Sequence, residues 1–95
     1  MCGIAGFYSL SEYQRLRAKL AETTDSLSHR GPDDSGIYDD PENGIGLGHR
    51  RLSILDLSAA GHQPMSCQHG DLTVVYNGEI YNFKKIRETL RSEGC

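Results

Sequence analysis

The sequence predicts an α+β fold, and three features of the chain lead to that prediction. A run of small and apolar residues at 2–8 is typical of a strand, and an amphipathic helix is predicted to start at Ser11. Extended runs within 36–49 flank a cluster of turn residues, which is the pattern of a β-hairpin. With 95 residues, the chain has room for one domain at most and for a modest core.

The predicted first strand carries Cys2 at its start. If Met1 is removed, Cys2 holds both a thiol and a free α-amine, which titrate near about 8.5 and about 8. One residue then supplies a nucleophile and its own general base. A cysteine in this place is more often a small buried hydrophobe without chemistry, so position alone does not decide between the two interpretations.

The first helix is predicted from a capping box, in which Ser11 is followed by Gln14 three residues later. Gly31 in a left-handed conformation and Pro32 are predicted to end it, within a loop at 29–36. Apolar and small side chains recur along the helix at a spacing that indicates one face packed on a sheet. This stripe consists of Tyr13, Leu16, Leu20, Thr24 and Leu27.

The hairpin is predicted from Gly36-Ile37-Tyr38, the turn residues 39–44, and the extended run from Ile45 to His49. Arg50 and Arg51 follow the second strand. Two arginines there fit a solvated sheet edge, and they also fit a clamp for a carboxylate, which the fixed fork of guanidinium donors binds well.

Two segments in the second half carry polar side chains with chemical potential. His62, in a loop of small residues at 58–64, suits a cysteine–histidine dyad as well as plain polar surface. After a predicted strand at Leu72–Tyr76, Asn77-Gly78 is a common hairpin turn, but a helix follows here. A side-chain amide beside a glycine N–H is suited to stabilising an oxyanion.

The second helix is predicted to begin at the N-cap Asn82 and to stop at Gly94. Phe83, Ile86 and Leu90 lie on one predicted face of it.

Composition and charge argue against several kinds of partner and site. The net charge of −3 gives no basic footprint, which argues against a nucleic-acid partner. No apolar run approaches the roughly 20 residues of a membrane helix, so no membrane partner is predicted. The three cysteines and four histidines have neither disulfide nor metal-site spacing. A cytoplasmic location is therefore expected, with no metal bound in this segment.

Five motifs together resemble the class II glutamine amidotransferase domain of glutamine-hydrolysing asparagine synthetases. Any one of them is a weak signal, whereas five in this order over the whole chain are specific. They are Cys2-Gly3-Ile4-Ala5-Gly6, Arg30-Gly31-Pro32-Asp33, Gly48-His49-Arg50-Arg51-Leu52-Ser53-Ile54, Gly61-His62-Gln63-Pro64 and Asn77-Gly78-Glu79-Ile80-Tyr81-Asn82.

The resemblance implies catalytic roles for Cys2, Asn77 and Gly78. Cys2 would attack the side-chain amide of glutamine, with its own α-amine moving the proton. The Asn77 amide and the Gly78 N–H would form the oxyanion hole. Glutamine binding is implied for Arg51 on the α-carboxylate and for Glu79 on the α-ammonium. Backbone carbonyls of Leu52, Ser53, Ile54 and Leu55, Ile54 first, would help Glu79, and Asn77 and Gly78 would also contact the substrate.

The fold implied by the resemblance is a four-layer αββα sandwich of the N-terminal-nucleophile type. Residues 1–95 correspond to about the first half of that domain, without the family's later Asp that also holds the glutamine ammonium. The implied synthetase domain, which uses ATP, Mg²⁺ and aspartate, is outside this chain. The resemblance also allows for a homodimer of the full-length enzyme.

Two alternatives stay open at this point. The chain could be a catalytically silent fragment, because half a sandwich leaves sheet faces and edges uncovered. It could also belong to a related amidotransferase that delivers ammonia to an acceptor other than aspartate.

Overall fold

A computed structural model describes residues 2–53 and 58–94 of the chain. The elements, in order, are β1 (Gly3–Tyr8), α1 (Tyr13–Asp25), β2 (Asp34–Asp40), β3 (Ile45–Arg51), a 3₁₀ turn (Ala59–Gly61), β4 (Met65–Ser66), β5 (Thr73–Val74) and α2 (Phe83–Ser92). The predicted α+β class is confirmed. The described elements form sheets with two helices, and the four-layer arrangement stays a prediction.

The main sheet has three antiparallel strands in the order β1-β3-β2. The predicted hairpin is therefore confirmed as β2 and β3, although Asp39 and Asp40 continue β2 instead of starting the turn. Pairing of Gly3 with Arg50 sets the start of β1 against the end of β3. The sheet thus brings the N-terminal cysteine to the arginine-rich end of the central strand.

Helix α1 packs on this sheet through the predicted stripe, of which Tyr13, Leu20 and Thr24 are buried. Two glycines of β3 make the close approach feasible. A Cβ at Gly48 would overlap the Thr24 hydroxyl, and one at Gly46 would lie only 3.0 Å from the side chain of Leu20. Missing side chains on the central strand are therefore what lets the helix lie against the sheet.

The predicted limits of α1 are wrong at both ends. The helix begins at Tyr13, and the hydroxyl of Ser9, not Ser11, accepts from the backbone N–H of Glu12 at 3.1 Å. The capping box fails because Ser11 is already part of the turn that leads into the helix.

At its C-terminal end, α1 runs out in tight turns with hydrogen bonds from Leu27 to Thr24 and from Arg30 to Leu27. Gly31 does not take a positive φ. Its lack of a side chain serves packing instead, because a Cβ there would overlap the backbone of Arg50.

The second half of the chain contains less regular secondary structure than the first. The strand predicted at Leu72–Tyr76 shortens to β5, which pairs only with β4. Helix α2 forms where predicted, but the side chain of Asn82 makes no capping hydrogen bond. Gly94 has φ +90° and ends the helix as predicted.

Helix α2 buries none of its residues, and Phe83, Ile86 and Leu90 on its apolar face are 41–45% exposed. Among residues 2–53 and 58–94, no helix is long and apolar enough to span a bilayer.

Candidate active site

Cys2 lies half-buried at the start of β1, held by the backbone of the segment that follows β3. The N–H of Leu52 approaches the Cys2 Sγ at 3.4 Å, and the thiol reaches the Leu52 carbonyl at 3.9 Å. The Nε of Arg30 donates to the Cys2 carbonyl at 3.2 Å. The two Leu52 contacts hold the thiol, the Arg30 contact holds the backbone carbonyl, and Cys2 lies on the wall of a cavity.

Cys2 and Asn77 share one cavity of about 310 Å³. Its size falls in the roughly 300–1,000 Å³ range of small-molecule sites. Its other lining residues are Gly3, Ile4, Leu27 and Arg30. The structure therefore brings the predicted nucleophile and the predicted oxyanion-hole amide together from opposite ends of the chain. Gly78, predicted as the second donor, does not line this cavity.

Arg51 lies elsewhere, in a cavity of about 250 Å³ with Asp33, Asp34 and Ser53. It is buried, at 8% exposure, and its Nη1 donates to the Ser58 carbonyl at 2.6 Å. The guanidinium also packs against Gly61, where a Cβ would overlap it. The predicted carboxylate clamp is thus a held, buried arginine on the wall of a pocket, and not a solvated edge residue.

The other described residues that were predicted to contact the substrate lie in different parts of the structure. Leu52 contacts Cys2, and Ser53 lines the Arg51 cavity, where its N–H donates to the Asp33 carboxylate at 2.8 Å. Glu79 is exposed, and its carbonyl accepts from the Tyr76 hydroxyl at 3.4 Å. Ile54 and Leu55 lie outside the described residues.

His62 pairs with Asp34 and is not brought to Cys2. Its Nδ1 lies 2.6 Å from the Asp34 carboxylate, and both line the Arg51 cavity. Burial alone would raise the pKa of Asp34, but the hydrogen bond with His62 and the nearby charges of His62 and Arg51 bring that pKa below its ordinary value. The geometry gives no support to a cysteine–histidine dyad.

Two residues that shape the site had no individual role assigned to them from the sequence. His49 is fully buried on β3, and its Nε2 lies 3.2 Å from the Tyr76 carbonyl. Burial lowers the pKa of His49. Gln63 accepts the Tyr76 N–H at 2.6 Å through its Oε1. Both belong to motifs noted above, but their common partner is a backbone group, which no side-chain pattern reveals.

The whole chain, residues 1–95, matches the family model described as a glutamine amidotransferase domain. It is 42% identical to glutamine-hydrolysing asparagine synthetase 3 of Bacillus subtilis (strain 168), over 99% of this chain and 15% of that protein. A putative glutamine-hydrolysing asparagine synthetase 2 of Methanocaldococcus jannaschii is 38% identical over 98% of this chain and 21% of its own length. Amidase chry2 of Gibberella zeae is 35% identical, over 98% and 15% respectively.

No solved structure shows significant similarity to the chain. The chain belongs to the glutamine amidotransferase domain family, and the enzymes it resembles include glutamine-hydrolysing asparagine synthetases. It spans about 15–21% of the length of these curated relatives.

Proposed function

We propose that this chain carries the thiol nucleophile of a glutamine-hydrolysing amidotransferase. The observation that carries the proposal is the cavity shared by Cys2 and Asn77. Membership of the glutamine amidotransferase family supports the proposal. Hydrolysis of glutamine needs a nucleophile that accepts the acyl group and a donor that stabilises the oxyanion formed on attack, and Cys2 and Asn77 are residues of these two types.

The reaction starts with Cys2 after removal of Met1. Its α-amine takes the thiol proton, and the sulfur attacks the side-chain amide carbon of glutamine. The carbonyl π electrons move to oxygen, where the Asn77 amide stabilises the negative charge. The Gly78 N–H is the second proposed donor, although Gly78 is outside the lining of the Cys2 cavity. The tetrahedral intermediate collapses to a γ-glutamyl thioester as the amine returns the proton to departing ammonia. Water then cleaves the thioester and releases glutamate.

Substrate orientation in this proposal falls to Arg51, to the backbone that follows it, and to Glu79. Its guanidinium pairs with the glutamine α-carboxylate, and Glu79 with the backbone carbonyls of Leu52–Leu55 binds the α-ammonium. Leu52 supports this arrangement, because it follows Arg51 in the chain and contacts the Cys2 thiol through its backbone.

The ammonia is proposed to serve an asparagine synthetase reaction on aspartate. ATP and Mg²⁺ belong to a separate synthetase domain in this proposal. Among the described residues, no group of three or more His, Cys, Asp or Glu side chains is placed to hold a metal ion.

The test compares Cys2→Ala with Cys67→Ala, a matched control at an exposed thiol. In the full-length protein, Cys2→Ala should lower glutamate release from glutamine by roughly a thousandfold or more, as loss of a nucleophile does. Cys67→Ala should leave it unchanged. Intact mass of the wild type should show loss of Met1. Hydrolysis that persists in Cys2→Ala would overturn the assignment.

A further inference from the structure

Side chains from two other segments form hydrogen bonds with the backbone N–H and the backbone carbonyl of Tyr76. Its N–H donates to the Oε1 of Gln63 at 2.6 Å. Its carbonyl lies 3.2 Å from the Nε2 of His49. Tyr76 immediately precedes Asn77, and its carbonyl belongs to the peptide plane that joins the two residues. Fixing that plane fixes the point from which the Asn77 side chain extends.

The chemistry of the acceptor assigns the histidine tautomer. A carbonyl oxygen can only accept, so the His49 Nε2 must carry the hydrogen. The Nδ1 of His49 is buried and has no hydrogen-bond partner in the described part of the chain. A proton there would be a buried donor without an acceptor, which is costly. His49 is therefore held as a neutral imidazole with one useful donor.

The position of His49 links its hydrogen bond with Tyr76 to the strand that follows Cys2. His49 is fully buried on the central strand β3, where it lies opposite Ile4 of β1. Strand β1 begins directly after Cys2. The strand pair that positions the thiol therefore also carries the donor that holds the residue before Asn77. Sites built on such packed elements keep their geometry better than sites built on loops alone.

We propose that His49 and Gln63 are positioning residues, which hold Asn77 toward Cys2 by fixing both backbone groups of Tyr76. The inference rests on the proposed function, because it concerns the oxyanion hole of that reaction. Neither side chain lines the Cys2 cavity, so each acts through the Tyr76 backbone and not on the substrate.

The first test uses paired variants of the full-length protein in a glutaminase assay. His49→Phe keeps a ring and loses the donor, whereas His49→Gln keeps an N–H donor at similar reach. Gln63→Leu loses the acceptor, whereas Gln63→Glu keeps one. The donor and acceptor deletions should lower kcat by roughly 10- to 100-fold, the scale of a misplaced catalytic group. The Michaelis constant should change by no more than about threefold, and the conservative variants should recover most of kcat.

Matched controls come from an exposed turn of the same chain. His69→Phe and Gln68→Leu make the same chemical changes at exposed positions and should leave kcat unaltered. If His49→Phe fails to fold, Gln63→Leu still decides the matter, because Gln63 is only partly buried.

A second readout isolates the oxyanion hole from general damage. L-Glutamic 5-semialdehyde accepts the Cys2 thiol at its carbonyl carbon, and its oxygen takes the place of the oxyanion as the adduct forms. An analogue of this kind reports interactions made only in the transition state. His49→Phe and Gln63→Leu should weaken inhibition by the aldehyde about as much as they lower kcat, and should leave the affinity for L-glutamate unchanged.

The outcomes separate the two claims. Active wild type, inactive Cys2→Ala and unaltered kcat in His49→Phe and Gln63→Leu would overturn the positioning role alone. An equal loss of affinity for aldehyde and glutamate would also overturn it, since that result indicates general distortion. Wild type without glutaminase activity would overturn the proposed function, and the positioning role with it.

Discussion

Arg51 shows that the surroundings of a side chain, as well as its residue type, determine what it can bind. Its guanidinium is buried and anchored to the Ser58 carbonyl, in a cavity that also contains Asp33 and Asp34. An anchored guanidinium is pre-organised, so little side-chain entropy remains to be lost when an anion binds. Burial and the anchor suit the proposed clamp for the glutamine α-carboxylate, whereas the carboxylates of Asp33 and Asp34 oppose an incoming anion.

Arg51→Ala should therefore raise the Michaelis constant for glutamine more than it lowers kcat. A lost charge-assisted pair of roughly 1.5–3 kcal/mol corresponds to about a 10- to 100-fold rise. Arg51→Lys should fall between wild type and Arg51→Ala, because it keeps the charge and loses the fork. Steady-state kinetics with glutamine measure both effects, with circular dichroism to verify folding. An unchanged Michaelis constant in Arg51→Ala would argue against the clamp.

The candidate site divides into residues that sequence can and cannot reveal. Cys2 and Asn77 could be predicted because each carries its chemistry in its type and local setting, and the structure places both at one cavity. His49 and Gln63 could not, because they act on the backbone of Tyr76. That relation exists only after the segment before Asn77 has folded against β3.

At the scale of elements, the contact between α1 and β3 holds the described sheet and helix together. Its closest point is Gly48 against Thr24, whose hydroxyl bonds back to the Leu20 carbonyl at 2.7 Å. The sequence predicted the apolar stripe of α1 but not this approach, because a glycine in a strand has several explanations. Only the folded β3 shows that Gly46 and Gly48 face the helix.

Gly48→Ala should lower the free energy of unfolding by about 1–3 kcal/mol, the usual cost of overpacking. Without the overlap, alanine in a strand interior would be the more stable residue, by roughly 0.5–1 kcal/mol. Adding Thr24→Ala should therefore recover part of the loss, because it removes the overlapping hydroxyl. Denaturant unfolding of the single and double variants measures this coupling. Strictly additive effects would show that the two positions do not touch.

Helix ends illustrate a limit of local patterns. Both Ser9 and Ser11 precede α1, and the sequence pairs Ser11 with Gln14 as a capping box. In the structure, Ser9 bonds to the Glu12 N–H. The backbone of Ser9 is itself fixed by a hydrogen bond to the Gly44 carbonyl in the β2–β3 turn. A contact between distant segments therefore fixes the serine that accepts from Glu12, the residue just before the helix.

At the scale of the whole molecule, one end of the sheet concentrates groups that respond to acid. Asp34 and Arg51 are opposite each other in the β2–β3 register, and His49 lies next to them in the field of Asp34, His62 and Arg51. Burial lowers the pKa of His49. Burial alone would raise the pKa of Asp34, but the hydrogen bond with His62 and the charges of His62 and Arg51 bring it below its ordinary value. Each folded-state value lies below the unfolded one.

The free energy of unfolding should therefore decrease as the pH is lowered, in two separate pH windows. Below about 6.5, the unfolded chain protonates His49 while the folded chain does not, so the free energy of unfolding falls until the pH passes the lowered folded pKa. Below about 3.8, the same reasoning applies to the Asp34 carboxylate, whose contribution is complete above that pH. His49→Gln should flatten the upper window and Asp34→Asn the lower one. Denaturant titrations across pH 3–7.5 measure both windows, and His69→Phe serves as a control at an exposed histidine. An upper window that survives His49→Gln would show that another group titrates there and that His49 is not held neutral by the fold.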